Sequence, residues 1–343
     1  MTTIDNAVLP KGSLILVTGA NGFIASHVVE QLLARGYKVR GTTRSAPKLD
    51  NLRQKWDAQY PGQFAVAEVP DITAKGAYDA AIEGVAGVAH VASNVSFSPD
   101  YETVVRDAVE GTLRALEAAH ATPSVKRFVL TSSVVAVTNS DSSRRSDLRV
   151  TAADFNHKTI ELAQSLPDDH PAKGVYVYGA SKTEGELAAW KFVKENKPSF
   201  DFSAVQPAFT IGEILDSDSQ HGSTAGWIRD LFTGKSDNAL KLLPDLDLVP
   251  VVDIASLHVG ALLLPSVKSQ RLFASAYART WNDVLAEFRK LYPAKSFYPD
   301  VADPNPSFQV YDTDASLAVL RALGQDGWTP LEVAIDQNVR AFA

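Results

Sequence analysis

The sequence places a tyrosine and a lysine one helical turn apart, in the run Tyr-Val-Tyr-Gly-Ala-Ser-Lys that covers residues 176–182. On a helix, Tyr178 and Lys182 share one face, so the ammonium group lies beneath the phenol and stabilises its phenolate. This pairing brings a phenol closer to the working range of a proton donor at neutral pH. Tyr176 cannot take the place of Tyr178, because Ala180 stands four residues after it. The alternative is a surface pair without function, because this spacing is common on helices.

Hydroxyl groups follow the apolar run 127–131, where the chain reads Thr131-Ser132-Ser133. If this run is a central strand of a parallel sheet, its carboxyl end is where such sheets bind ligands. Ser133 then hydrogen-bonds the carbonyl oxygen that Tyr178 protonates, and the two hydroxyls polarise that oxygen as a hydride arrives. In the alternative arrangement Ser132 faces the core or a cofactor, and the residues alone do not choose between the two serines.

A glycine-bearing turn, Thr-Gly-Ala-Asn-Gly-Phe-Ile-Ala at 18–25, follows the first apolar run and precedes a helical pattern. Gly19 allows a sharp turn, Gly22 lets the backbone approach a ligand closely, and Ala25 permits tight packing of the helix on the strand. The free N–H groups and the dipole at the start of a helix favour an anion, typically the pyrophosphate of a dinucleotide. The strand, turn and helix context favours this interpretation over an ordinary glycine-rich turn.

The end of the next predicted strand indicates which dinucleotide binds. A site for NAD places a carboxylate there to bind the ribose 2′-hydroxyl, but residues 39–45 contain none. Arg44 and Lys48 are present instead, and both can donate charge-assisted hydrogen bonds to a 2′-phosphate. The sequence therefore predicts NADP(H), with two solvated surface residues as the alternative.

Alternating strands and helices must position these groups, and the hydrophobic patterning predicts such an order. It predicts strands at 13–18, 37–43, 64–69, 87–91, 127–131 and 202–206, and helices at 23–34, 78–83, 101–120 and 178–194. Strict alternation indicates an α/β fold, a Rossmann-type doubly wound parallel sheet with helices on both faces. We expect an NADP-binding domain over 1–206 that carries the catalytic residues. Residues 207–343 are expected to form mainly a smaller, loop-rich C-terminal substrate-binding lobe, with some segments that return to the first domain.

The composition excludes several classes of function. Of the 343 residues, 45% are hydrophobic and 21% are charged, which suffices for an ordinary core. Lys and Arg total 33 against 40 Asp and Glu, and the formal charge of −7 predicts neither nucleic acid nor an anionic membrane as a partner. Cysteine is absent and the seven histidines show no metal-ligand spacing, so neither thiolate chemistry nor a metal is expected. Since no apolar run approaches the roughly 20 residues of a membrane span, we expect a soluble, cytoplasmic protein.

The glycine-rich turn, Thr-Ser-Ser and Tyr-Gly-Ala-Ser-Lys, in this order, resemble the extended short-chain dehydrogenase/reductases. More narrowly, the chain is similar to the dihydroflavonol-reductase-like group and, within it, to yeast NADPH-dependent aldehyde and ketone reductases. The resemblance implies catalysis by Ser133, Tyr178 and Lys182, with Lys182 also on the nicotinamide ribose. Together with the residues inferred above, it implies cofactor contacts at Gly19, Asn21, Gly22, Phe23, Ile24, Arg44, Lys48, Asp71, Ile72, Ala92, Ser93, Thr131, Tyr178, Lys182, Pro207, Phe209 and Thr210.

Three places in the sequence limit what the resemblance implies. His90 lies inside a predicted apolar strand, so we interpret it as a core histidine rather than an acid or a base. The family's epimerases and dehydratases usually carry an asparagine where this chain has Ala108, which disfavours sugar-nucleotide chemistry. The acidic and aromatic segment that often follows the serine strand is reduced here to Asp154 and Phe155. It comes after the polar run 140–149, which predicts a solvated surface loop.

The substrate pocket is expected to be apolar. Residues 214–248 mix apolar and small polar side chains, and they lack the clustered Lys or Arg that would hold a phosphorylated substrate. Phe97, on the loop after the fourth strand, together with Trp227 and Leu246, predicts a pocket for an aryl or alkyl ketone or aldehyde. The alternative is that Trp227 and Leu246 pack the interior of the small lobe.

The sequence thus predicts an NADPH-dependent reductase of ketones and aldehydes, such as keto esters and aryl ketones, with Tyr178 as the proton donor. A small-molecule carbonyl compound is the predicted partner, and the chain is a monomer or a homodimer. A related reductase for methylglyoxal, flavonoid-like or steroid-like carbonyls shares all of these residues. A rival from another class is a non-catalytic NADP-binding sensor or scaffold, which typically loses the tyrosine and the lysine.

Overall fold

The computed structural model describes residues 4, 6–138, 149–238, 240, 245–302 and 308–343, so most of the polar run at 140–149 lies outside the described residues. The strands in this part are β1 (Leu14–Val17), β2 (Lys38–Thr43), β3 (Phe64–Glu68), β4 (Gly87–His90), β5 (Arg127–Thr131), β6 (Arg149–Val150), β7 (Asp201–Pro207), β8 (Phe209–Ile211), β9 (Asp245–Pro250), β10 (Arg271–Ala274), β11 (Tyr277–Thr280) and β12 (Val310–Tyr311). The described helices are α1 (Phe23–Ala34), α2 (Asp50–Gln59), α3 (Tyr101–His120), α4 (His157–Ser165), α5 (Lys173–Asn196), α6 (Thr224–Phe232), α7 (Val251–Leu263), α8 (Trp281–Leu291), α9 (Asp314–Ala322) and α10 (Leu331–Val339). Short 3₁₀ turns cover Ala46–Leu49, Val134–Ala136 and Arg340–Phe342.

A seven-stranded sheet in the order β10-β7-β5-β4-β1-β2-β3 forms the centre of the structure. Every pairing in this sheet is parallel. Side chains of a strand alternate between its faces, and on β1 this sends Ile15 and Val17 into one buried cluster and Leu16 into another. Helices α1, α7 and α9 contribute to the first cluster, and α3 and α5 to the second. The predicted α/β doubly wound architecture is confirmed.

The chain after Pro207 divides between two places. β8, β9 and β11 form a separate three-stranded sheet, which packs with α6, α8 and α10 around a core that includes Trp281 and Phe288. β10 instead pairs with β7 in the central sheet, and α7 packs against α1. The small lobe therefore has its own buried core, and its helices replace much of the loop structure that the weak periodicity predicted.

Two predicted helices differ from the structure. Residues 78–83 form turns rather than a helix, although Tyr78 and Ile82 are buried at helical spacing. Gly76 and Gly84 flank this segment with positive φ angles of 75° and 72°, a conformation that ends helical hydrogen bonding. α5 begins at Lys173, five residues before the predicted start at Tyr178. The patterning also gave no prediction of α2 or α4.

Candidate active site

Ser133 lies just beyond the carboxyl end of β5, in the middle of the central sheet. Its backbone is extended, with φ −163° and ψ 155°, and its hydroxyl accepts a hydrogen bond from the Val135 backbone N–H at 3.4 Å. The same hydroxyl donates to the Pro207 carbonyl oxygen at 3.4 Å, at the end of the neighbouring strand β7. The side chain is buried between two strand ends, where ligands of doubly wound sheets bind.

The Ser132 hydroxyl has a different hydrogen-bond partner. Its hydroxyl donates a 2.6 Å hydrogen bond to Glu186 Oε2 on α5, inside the protein. Successive residues of an extended segment point in opposite directions, so Ser132 faces the interior and Ser133 faces the strand ends. This contact favours Ser133 over Ser132 as the hydroxyl that meets a substrate.

Tyr178 is half-buried on α5, and three side chains surround its phenol. The Lys182 Nζ lies 5.8 Å from the centre of the tyrosine ring, and the Phe97 ring packs on it with a centroid distance of 4.8 Å. Burial raises the pKa of Tyr178, while a side-chain hydrogen bond from Ser133 opposes the shift. The structure thus brings together Ser133, Tyr178 and Lys182, the three residues predicted to catalyse the reaction.

Lys182 is buried and faces the same place. Burial lowers the pKa of Lys182 to about 8, and the nearby carboxylate of Glu186 opposes this shift. Within the described part of the chain, no side chain or carbonyl forms a hydrogen bond or ion pair with its ammonium group. The three N–H donors of Lys182 are therefore available to the phenol and to a bound ligand.

The glycine-rich turn packs directly on the end of β4. The Thr18 hydroxyl accepts hydrogen bonds from the Val91 and Ala92 backbone N–H groups, both at 2.9 Å. Gly19 has φ +66°, and a Cβ atom there would lie 3.2 Å from Ala92 Cα. Only glycine fits this position without strain. The backbone N–H groups in the first turn of α1 have no intrahelical acceptor, so they can bind an anion.

His90 is a core histidine, as its place in an apolar strand predicts. Its Nδ1 lies 3.1 Å from the Thr18 hydroxyl, and the ring is buried. Burial, together with the nearby charge of Lys182, lowers the pKa of His90 to about 3. The imidazole is therefore neutral at physiological pH and holds Thr18 in place.

The predicted nucleotide-selecting residues, Arg44 and Lys48, are exposed at the end of β2. No carboxylate in the described ranges forms an ion pair with either of them, so their charges are not neutralised locally. Asp71 is exposed nearby after β3, and its carboxylate accepts hydrogen bonds from the Thr73 N–H and hydroxyl at 2.8 and 2.7 Å. These contacts hold the pKa of Asp71 below its usual value. The glycine-rich turn, the unpaired side chains of Arg44 and Lys48, and the unpaired Lys182 together fit a dinucleotide with a 2′-phosphate.

Other predicted cofactor residues take part in packing as well. Phe23 packs with Ala225 and Val251, and Ile24 is partly buried against that cluster. Ile72 contacts the position of Gly111 on α3 so closely that a Cβ there would lie 2.8 Å from its side chain. Asn21 and Ser93 are partly buried at the turn and after β4. These positions surround the strand ends, and their roles in binding remain predictions.

The hydroxyl groups of two predicted cofactor residues have protein partners. Thr131 Oγ1 lies 2.7 Å from His258 Nε2 on α7, so this hydroxyl is engaged within the core. Thr210 Oγ1 donates to the Ala208 carbonyl oxygen at 3.0 Å. Within the described structure, both hydroxyl groups thus serve to hold the protein around the strand ends.

The three predicted pocket residues have different environments. Phe97 is 47% exposed and packs on Tyr178, and Trp227 is 37% exposed and meets Phe209 edge to face. Leu246 is 1% exposed and packs in the core of the small lobe. The packing alternative is therefore favoured for Leu246, while Phe97 and Trp227 present apolar surface.

Sequence reasoning missed two residues of the site. Glu186 stands four residues after Lys182 on the same helix face, a spacing that could have revealed it. Gln220, on the irregular segment before α6, donates hydrogen bonds to the Asn21 and Gly22 carbonyl oxygens at 3.0 and 3.3 Å. It ties the small lobe to the glycine-rich turn, and no sequence pattern marks it.

Residues 15–272 match the NAD dependent epimerase/dehydratase family. The chain belongs to this family. Its sequence resemblance to the extended short-chain dehydrogenase/reductases is thereby confirmed, and the match spans the glycine-rich turn together with Ser133, Tyr178 and Lys182. None of the described helices is long and apolar enough to cross a membrane, and no cluster of metal-binding side chains occurs among the described residues.

Two relatives and one solved structure are similar to this chain over nearly its whole length. The chain is 53% identical over 339 residues to aldehyde reductase 2 of Sporidiobolus salmonicolor, with 99% of this chain and 98% of that protein covered. It is 37% identical to the ketoreductase adrE of Penicillium rubens, with 99% of each chain covered. The structure of yeast methylglyoxal/isovaleraldehyde reductase Gre2 complexed with NADPH superimposes with a TM-score of 0.81, at 29% identity over 95% of this chain and 96% of that one.

Proposed function

We propose that the protein reduces ketones and aldehydes, such as keto esters and aryl ketones, to alcohols with NADPH, and that Tyr178 donates the proton. The broader class is established: the protein is an oxidoreductase that acts on carbonyl groups with NADP(H), as its family and its aldehyde reductase and ketoreductase relatives indicate. The finer assignment of substrate and proton donor rests on the geometry around the phenol.

One observation carries this assignment. The phenol of Tyr178 is contacted by Ser133 at the strand ends, by the Lys182 ammonium group and by the exposed ring of Phe97. A proton donor, a second hydroxyl and a cation converge on one point that an apolar carbonyl compound can reach. Such convergence stabilises the negative charge that develops on a carbonyl oxygen during reduction.

Each residue has a distinct task. Ser133 hydrogen-bonds the carbonyl oxygen and orients it towards the phenol, and Tyr178 transfers its proton to that oxygen. Lys182 stabilises the phenolate that remains, which makes Tyr178 a stronger acid than its buried environment alone allows. Bound NADPH supplies the hydride to the carbonyl carbon. The glycine-rich turn, Arg44 and Lys48 are the residues that would hold its phosphates.

A substrate panel tests the proposed function. Purified protein is given NADPH or NADH with ethyl acetoacetate, acetophenone, methylglyoxal, a flavanone and a keto steroid, and both NADPH consumption and alcohol formation are measured. We expect turnover with NADPH, fastest on keto esters or aryl ketones. Faster turnover of methylglyoxal, the flavanone or the steroid would favour the related reductases instead. Tight binding of NADPH without turnover of any carbonyl would contradict the proposal and favour a non-catalytic sensor.

A further inference from the structure

Glu186 is a buried carboxylate just below the catalytic residues on α5. It lies eight residues after Tyr178 and four after Lys182, so all three follow one face of the helix. Its side chain is 0% exposed, and a charged carboxylate in such a place is costly unless it is fully paired. The function proposed above does not by itself require this residue.

Both carboxylate oxygens of Glu186 are paired. Arg271 on β10 donates to Glu186 from Nε at 2.6 Å to Oε1 and from Nη2 at 3.2 Å to Oε2. Gln206 and Trp190 donate to Oε1 at 3.0 and 3.1 Å. The two-point contact with the guanidinium group fixes the plane of the carboxylate, because both oxygens are held at once.

Arg271 is itself anchored on its far side. Its Nη1 donates to the Ala152 and Asp154 carbonyl oxygens at 2.9 and 2.6 Å, and its guanidinium carbon lies 4.0 Å from the centre of the Phe155 ring. The carboxylate of Glu186 is therefore joined to an immobilised cation and cannot rotate freely. One acceptor position of Oε2 remains, and the Ser132 hydroxyl fills it at 2.6 Å.

We propose that Glu186 is a positioning residue that acts through Ser132 to hold Ser133 against the Tyr178 phenol. Ser132 directly precedes Ser133, so a fixed Ser132 hydroxyl sets the direction in which the next side chain leaves the backbone. Glu186 and Tyr178 share one rigid helix, so the Ser132 contact links β5 to the helix that carries the phenol. Catalytic groups must be held within a fraction of an ångström for full effect. Loss of the link between Ser132 and Glu186 should therefore lower the rate of turnover.

This inference rests on the proposed function, and a double-mutant cycle tests it. Ser132→Ala in the wild-type background is expected to lower kcat about tenfold while the Kd for NADPH stays unchanged. Ser133→Ala alone is expected to lower kcat about a hundredfold, which leaves measurable turnover. If Ser132 acts only through Ser133, then adding Ser132→Ala to Ser133→Ala changes kcat by less than about twofold, because coupled residues are non-additive.

Two further variants complete the test. Glu186→Gln keeps the shape of the side chain and is expected to lower kcat less in the Ser133→Ala background than in the wild type. Some loss is expected in both backgrounds, because the Glu186 carboxylate also opposes the lowered pKa of Lys182. Glu184→Gln, two residues away on α5 and hydrogen-bonded by Tyr101, is the matched control and should leave kcat unchanged. If Ser132→Ala lowers kcat equally in both backgrounds, or not at all, the positioning role is wrong. Loss of turnover in Tyr178→Phe under the same assay shows that such a failure does not come from the proposed function.

Discussion

The Lys182 ammonium group lies 5.8 Å from the ring centre of Tyr178, one helical turn along α5, and has no ion-pair partner among the described residues. Its charge is therefore directed at the phenol and at whatever binds beside it. Because burial lowers the pKa of Lys182 to about 8, this charge is present at neutral pH and is lost as the pH rises through about 8.

The rate of carbonyl reduction should therefore fall above pH 8. We expect kcat/KM for carbonyl reduction to fall as the pH rises through about 8, since neutral Lys182 no longer stabilises the phenolate. Lys182→Met should lower kcat/KM about a hundredfold or more and remove this alkaline limb. Lys191→Met, an exposed lysine on the same helix, serves as the control and should keep the wild-type profile. An unchanged alkaline limb in Lys182→Met would exclude Lys182 as its origin.

Arg44 should select the nucleotide. Removal of a charge-assisted hydrogen bond to a 2′-phosphate costs about 1.5–3 kcal/mol, so Arg44→Ala should weaken NADPH binding roughly ten- to a hundredfold and NADH binding little. Arg53, exposed on α2 and paired with Asp57, provides the control Arg53→Ala, which should change neither. Titration of both nucleotides by fluorescence gives the dissociation constants. Equal losses for the two nucleotides would show that Arg44 does not contact the 2′-phosphate.

Gly174 should govern the substrate side of the site. A Cβ atom there would overlap the Phe97 carbonyl oxygen, so Gly174→Ala must displace the loop that places Phe97 on Tyr178. We expect a higher KM for the carbonyl substrate and an unchanged Kd for NADPH. Gly185→Ala on the same helix is the control, since its Cβ would lie 3.6 Å from the Ala108 carbonyl oxygen, an ordinary contact. It should stabilise α5 by up to about 1 kcal/mol, as measured by urea unfolding. Similar KM values for Gly174→Ala and the wild type would mean that the loop does not shape the pocket.

Acid should destabilise the fold through three buried histidines. Burial lowers the pKa of His27 and His258 to about 4 and that of His90 to about 3, against 6.5 when they are exposed. Above pH 6.5 the imidazoles are neutral in both states and impose no penalty. As the pH falls below 6.5, the unfolded chain binds protons that the native structure excludes, which costs about 1.4 kcal/mol per pH unit for each histidine.

The free energy of unfolding is measured by urea titration at pH 7.5 and pH 5.5. We expect a decrease of about 4 kcal/mol at the lower pH, and a smaller decrease in His258→Gln, whose amide can still meet Thr131. A free energy of unfolding that does not change between the two pH values would contradict the buried, neutral state of these rings.

The fold was predictable wherever one apolar pattern dominated a segment. The predicted helices at α1 and α3 and the predicted strand at β5 match the structure residue for residue, because their buried faces are long and regular. α2 was missed because only Leu52 and Trp56 of its ten residues are buried, which is too few to reveal a period. The helix predicted at 78–83 is absent for a different reason. Its buried side chains recur at helical spacing, but the glycines on both sides of the segment end the helical hydrogen bonding.

The candidate site was predictable in part. Residues joined by short sequence motifs, such as Tyr178 with Lys182, could be paired because helical geometry fixes their distance. Contacts between distant segments could not be read in this way. The hydrogen bonds from Gln220 to the glycine-rich turn join residues 198 and 199 positions apart, and the Arg271 pair with Glu186 spans 85. Both depend on the folded topology rather than on any local pattern.

The central claim is that Tyr178 donates the proton, and removal of its hydroxyl tests this most directly. In Tyr178→Phe, single-turnover reduction of a keto ester should slow about a hundredfold or more, while NADPH binds as in the wild type. Tyr176→Phe, two residues earlier on α5, should react at the wild-type rate. Full turnover in Tyr178→Phe, with its cofactor affinity intact, would contradict the account.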